Sequence, residues 1–181
     1  MSNKASRKTL ILMVTVFVLP VVLAKLALDH GWFEQAATNK GQLLQPTINV
    51  SSMVQDSKPK WRLVYVLPTD CDQACKNALF SINQVWLALG RESSRAEPVV
   101  FVTANSDTTS FDWAKDYPNV VVKPLSEKPD TPLLDSKVYI VDTLNNAVLL
   151  YQMDDDKDVA VMESRNILAD MKKLLKLSRI G

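Results

Sequence analysis

Cys71 and Cys75 are the only cysteines in the chain, and they stand in the segment Cys71-Asp-Gln-Ala-Cys75. One such pair offers three chemistries: closing a disulfide, exchanging electrons with other thiols, or gripping a soft metal ion. A structural disulfide that ties a helix to its loop competes with the redox and metal roles. No other constellation is as pointed. The one histidine is His30, so no Ser-His-Asp triad is available to the soluble part, no P-loop pattern occurs, and four glycines leave little for a phosphate cradle. A net charge of +1 argues against bulk electrostatic binding to nucleic acid.

The residues after the pair say what must position it. Cys75, Ala78, Leu79, Ile82, Val85, Trp86 and Leu89 recur at three- and four-residue steps and form one apolar stripe, which places a helix over 72–89 with Cys75 on its core side. Asp70 is expected to cap this helix by accepting from backbone N–H groups near Gln73, and Gly90 to close it. Cys71 would then occupy the first turn, with its alpha carbon roughly 6 Å from that of Cys75. A disulfide tolerates about 4.4 to 6.8 Å. The helix dipole favours a thiolate at Cys71, but Asp70 and Asp72 flank it and oppose a further negative charge, so a moderate nucleophile is expected.

At 181 residues, with 47% hydrophobic and 23% charged, the chain suits one globular domain plus an appendage. Residues 9–28 form an apolar run interrupted only by Thr9, Thr15, Pro20 and Lys25. As a helix it would span roughly 30 Å, the thickness of the hydrocarbon layer. Lys4, Arg7 and Lys8 precede it and Asp29 and Glu34 follow, which places residues 1–8 in the cytoplasm and everything past Leu28 outside. Trp32 and Phe33 would lie in the headgroup belt. A signal peptide cut after Val22-Leu23-Ala24 is the competing reading, but apolar residues resume at Leu26, Ala27 and Leu28. Residues 29–60 read as a tether that lays at most one short segment against the domain, and 61–181 as the domain itself. Asn49-Val-Ser51 matches a glycosylation acceptor by chance composition.

Within the domain, strands are expected over 62–67, 99–103, 137–142 and 147–153, a short extended run over 119–122, and helices over 72–89, 110–116 and 159–177. Leu144-Asn145-Asn146 suits a hairpin. The final helix turns Ile167, Leu168, Met171, Leu174 and Leu175 inward. The first two strands, joined by a helical crossover, should be parallel. This order is the thioredoxin arrangement: an α/β fold with a central mixed sheet flanked by helices, here with an N-terminal transmembrane helix, and with the cysteines at the first strand-to-helix junction.

The segment Tyr65-Val-Leu-Pro-Thr-Asp-Cys71-Asp-Gln-Ala-Cys75, with Lys137-Val-Tyr-Ile-Val-Asp142, resembles the Sco/SenC group of membrane-anchored thioredoxin-like proteins. It is most similar to a proteobacterial, cytochrome-oxidase-associated branch that shares the anchor and the segment Asn39-Lys-Gly-Gln-Leu-Leu-Gln-Pro46. The resemblance implies a protein of the bacterial inner membrane, single-pass, with its C-terminal domain in the periplasm. It further implies help in assembling the copper A centre of cytochrome c oxidase, through thiol reduction or copper(I) handling on Cys71 and Cys75. Its partner would be an oxidase subunit or another assembly factor. A non-catalytic assembly module with a structural disulfide and a general periplasmic thiol-disulfide oxidoreductase are the alternatives.

Two departures from that group matter. Copper-binding members have Pro after the first cysteine, where this chain has Asp72, and a histidine ligand before the later strand, where superposition puts Leu134. Two thiolates alone suit Cu(I) better than Cu(II). His30 reads as a solvated interfacial residue, and Met153 and Met162 as core filler. The run Asp154-Asp155-Asp156-Lys157-Asp158 lacks the spacing of a calcium loop and reads as a solvated turn capping the last helix. Pro132 is a candidate for the cis proline that thioredoxin folds place opposite the cysteines.

Overall fold

A computed structural model describes residues 2–30, 38–54, 58–125, 133, 136–178 and 180. Trp32, Phe33, Glu34, Pro132 and Leu134 lie outside the described residues. The chain divides into two units, which meet in sequence between Thr38 and Asn39.

The first unit is one helix, α1 (Ser2–Asp29), with Pro20 inside it. The stretch Arg7–Asp29 is long and apolar enough to cross a membrane, and none of its side chains is buried. Thr15 donates its hydroxyl to the carbonyl of Ile11, which satisfies that polar group within the helix itself.

The second unit is built on a six-stranded mixed sheet. Its strands are β1 (Gln42–Asn49), β2 (Trp61–Val66), β3 (Ala96–Val102), β4 (Val121–Pro124), β5 (Lys137–Val141) and β6 (Asn146–Gln152), in spatial order β1-β6-β5-β2-β3-β4. β2 runs parallel to β3, and β3 to β4, while β5 pairs antiparallel with both β2 and β6. Every residue of β2 is buried, as expected of a strand with neighbours on both sides and cover on both faces. The hairpin between β5 and β6 turns on Asn145, whose φ of 63° suits asparagine better than most side chains.

β2 sorts its side chains between two cores. Leu63 and Tyr65 point to the larger one, where α2 (Gln73–Ala88) and α4 (Lys157–Leu177) pack. The short α3 (Trp113–Asp116) contributes to this core too, with Phe111, Trp113 and Tyr117 meeting in tilted and edge-on contacts at centroid separations of 5.4 to 5.9 Å. Val64 and Val66 point to a second core, closed by Val50, Met53 and Val54 and by the flanking Leu125 and Leu133. Arg62 shares that face. It is buried and ties strands to loops by donating to the carbonyls of Lys58 and Lys60 and to the side chain of Asn145, with Glu97 of β3 3.6 Å away.

Several expectations change. The stretch read as a tether contains β1, which pairs antiparallel with β6 at the sheet edge, so the compact unit takes in residues from Asn39 onward. Its sequence hid this, because an edge strand facing solvent carries no alternating apolar pattern. Asn49 is used up in the turn after it, accepting from Ser51 N–H and donating to Asn146. The helix predicted over 110–116 is only its last turn, because Asp107 and Asp112 take up nearby N–H groups in turns. Met162 is exposed, not core filler, and accepts from Arg165. Met153 is buried in the same core as the cysteines.

Candidate functional site

β2 delivers the chain to the site. Beyond Val66, Leu67 still bonds to the carbonyl of Phe101, and the chain then leaves the sheet through Pro68, Thr69 and Asp70 to Cys71. The loop after β3 holds this exit from one side. Ser106 donates its hydroxyl to the carbonyl of Leu67 at 2.7 Å, and the N–H of Asp107 donates to the carbonyl of Pro68 at 3.0 Å. Asp107 then accepts from the hydroxyl and N–H of Ser110, from the hydroxyl of Thr109 and from the backbone of Cys71. The Ser110 hydroxyl, foremost among these, holds its carboxyl below the usual carboxylate range, partly against desolvation.

α2 begins at Gln73, with Asp72 and not Asp70 as its cap. The Asp72 carboxylate accepts from Cys75 N–H at 2.9 Å, and Asp70 is left exposed. Cys71 therefore precedes the helix and does not belong to its first turn. A residue capping from the position before Gln73 reaches the Cys75 N–H; one three positions before does not.

A second carboxylate arrives from the far end of the chain. Asp155 accepts from Ala74 N–H at 2.8 Å, and the buried Asn77 holds it there by donating to the carbonyls of Asp154 and Asp155. Asp156 of the same run caps α4, accepting from Asp158 and Val159 N–H. The acidic run is thus a turn and cap, as expected, but it is also a clasp on the cysteine helix. Sequence reasoning missed Asp155 and Asn77, whose contact spans about eighty positions. It missed Asp107 too, although Asp107-Thr-Thr-Ser110 has the spacing of a side-chain turn.

The structure brings the two predicted site residues together. Cys71 and Cys75 form a disulfide, with alpha carbons 5.2 Å apart. Their exposure differs: Cys71 keeps 6% and Cys75 none. Of the two residues only Cys71 meets solvent at all, so an incoming nucleophile would approach from its side. Around it, two N–H groups of the first helical turn already serve Asp72 and Asp155, so the helix end has little positive potential left for a sulfur anion. A metal ion could bind only after two-electron reduction, on the two thiolates. Among the described residues no group of three His, Cys, Asp or Glu is placed to hold one. His30 belongs to the first unit, where its N–H donates to Leu26.

A family model described as transmembrane-like, thioredoxin-like, C-terminal domain matches residues 61–178. The chain belongs to this family. Its thioredoxin-like domain also matches solved structures. Apo Sco1 from Thermus thermophilus is 17% identical, with a TM-score of 0.51 over 76% of this chain and 97% of that one. ScoI from Arabidopsis thaliana with copper bound is 14% identical, at 0.45 over 74% and 98%. A SCO1/SenC family lipoprotein from Bacillus anthracis is 13% identical, at 0.45 over 78% and 98%. At this identity the likeness to Sco1 is one of fold, and it agrees with the expected thioredoxin-like architecture. A comparison with curated protein sequences found no significant match.

Proposed function

We propose that this thioredoxin-like protein is anchored in the bacterial inner membrane by α1 and uses Cys71 and Cys75 for thiol exchange, or for copper(I) delivery, during assembly of cytochrome c oxidase. The observation that carries the reading is the Cys71–Cys75 disulfide at the strand-to-helix junction, with Cys71 keeping a small exposure and Cys75 fully enclosed. Residues 9–28 serve as the membrane span and 1–8 as the cytoplasmic end, since the basic residues precede the span; the C-terminal domain then stands in the periplasm.

Reduced by a dithiol donor, the pair acts in two steps. The Cys71 thiolate attacks one sulfur of a disulfide on the partner, forming a mixed disulfide and releasing the partner's other sulfur as a thiolate that takes up a proton. Cys75, losing its proton, then attacks Cys71 Sγ, which restores the internal disulfide and frees the partner's second thiol. Two electrons pass from this chain to the partner. Copper(I) as cargo would sit on the two thiolates of the reduced pair, which suits a soft ion content with two donors.

The test is the double variant Cys71→Ser/Cys75→Ser expressed in the native host. Oxidase activity should fall while the protein level stays unchanged. A cell with full oxidase activity overturns the proposal. Loss of the folded protein instead supports a structural disulfide in a non-catalytic assembly module, a second reading that rests on the near-complete burial of both cysteines.

A further inference from the structure

α2 and α4 lie side by side and run the same way. Asn77, early in α2, donates to the backbone that leads into α4, and Arg95, in the turn of 3-10 helix that follows α2, donates to the carbonyls of Leu175 and Ser178 where α4 ends. Both helices begin near the disulfide; α2 ends about 20 Å beyond Cys75 and α4 runs about 31 Å along its own axis.

The far end is basic beyond what the helix ends need. Arg95 already meets the terminal carbonyls of α4, and Glu92 is taken by Arg95 at 2.7 Å. Arg91, Lys172 and Lys176 remain exposed, and their side chains have no partner among the described residues. Leu177 and Ile180, beside them, are 72% and 59% exposed. Cations flanked by exposed aliphatic side chains make the pattern of a surface that lies against an anionic lipid interface.

A separate observation points to the same occupant. The second unit starts against this half of α4, since the buried Asp170 accepts from the N–H groups of Lys40 and Gly41 at 2.7 and 2.9 Å. Asn39 lies ten positions after Asp29, the end of α1, so the connection reaches at most about 35 Å. A chain held in a bilayer by α1 therefore keeps the domain at high effective concentration near the lipid, where even weak docking of a basic surface is populated.

We propose that Arg91, Lys172, Lys176, Leu177 and Ile180 form a docking surface for an anionic phospholipid bilayer, an inference that rests on the reading of α1 as the anchor. Docked this way, the domain presents Cys71 on the side away from the lipid, toward the aqueous phase. The docking does not require the cysteines to be reactive.

The experiment places the full-length chain in nanodiscs of phosphatidylcholine alone, or with a third of phosphatidylglycerol, and follows amide hydrogen exchange at residues 172–180. Exchange should be slower by about threefold or more in the anionic discs at low salt, and the difference should vanish in high salt. The variant Lys172→Gln/Lys176→Gln should lose most of it too, with its fold retained by circular dichroism, whereas Cys71→Ser/Cys75→Ser should keep it. Equal exchange in the two lipids, with the chain incorporated, overturns the docking surface alone. A chain that does not incorporate overturns the anchor reading and this inference with it.

Discussion

Asp155 holds the N–H of Ala74 at 2.8 Å, so the last turn before α4 supplies a carboxylate to the first turn of the cysteine helix. With the Asp72 cap one position further on, it places two negative groups where the dipole would otherwise steady a Cys71 thiolate. Asp155→Asn should make the pair more oxidising by about 10–20 mV, corresponding to about 0.5–1 kcal/mol of added thiolate stability. Equilibration with glutathione buffers measures this. A shift toward a more reducing potential would contradict the electrostatic argument.

Unequal burial of the two cysteines predicts unequal reactivity. In Cys75→Ser the remaining Cys71 thiol should react with an alkylating reagent under native conditions. In Cys71→Ser the fully enclosed Cys75 should react at least about tenfold more slowly, waiting for local opening. Comparable rates in the two single variants would show that burial does not control access. Only Cys75→Ser should trap a mixed disulfide with a partner.

Asp107 ties the cysteine loop to Ser110, and its pKa in the folded chain lies below the ordinary value of 3.8. Its contribution is therefore present above that value and is lost as pH falls through the folded pKa. Asp107→Asn should let a phosphine reduce the disulfide faster than in the natural chain at pH 6. The two rates should converge as pH drops below the folded pKa. A rate difference independent of pH would assign the effect to something other than this carboxylate.

Arg62 is enclosed, with Glu97 and three further acceptors around its guanidinium. Arg62→Ala leaves Glu97 without its buried partner and should cost about 3–5 kcal/mol, read from denaturant unfolding. Little or no loss would mean that water replaces the guanidinium at this site.

At Gly41, a β-carbon would collide with the hydroxyl end of the Tyr151 ring, whose hydroxyl donates to Asp170 at 2.8 Å. Burial, and next the Asp170 carboxylate, push the Tyr151 phenol upward, which keeps it a donor at any physiological pH. Gly41→Ala should cost about 1–3 kcal/mol and loosen β1 from the sheet, visible as faster amide exchange in residues 42–49.

Much of the helical part was legible because helices write their burial into a short repeat. Cys75, Ala78, Leu79, Ile82 and Val85 are all buried as their spacing implied, and Ile167, Met171 and Leu175 likewise. Gly90, with φ of 59°, closes α2 in the conformation that favours glycine. β1 was not legible, because its only partner lies about a hundred residues away and its exposed face asks nothing of its side chains.

The sequence by itself determined that two thiols would meet at the junction of a strand and a helix, in an α/β domain behind an apolar helix. Those features rest on spacings of a few residues, where backbone geometry leaves little choice. Tertiary structure alone decided which cysteine is fully enclosed, which carboxylate caps the cysteine helix, and that Asp107, Asp155 and Asp170 are structural acceptors. Each of these depends on groups far apart in the chain arriving at one place, and local preference has no energy that reports on such a meeting before the core has closed.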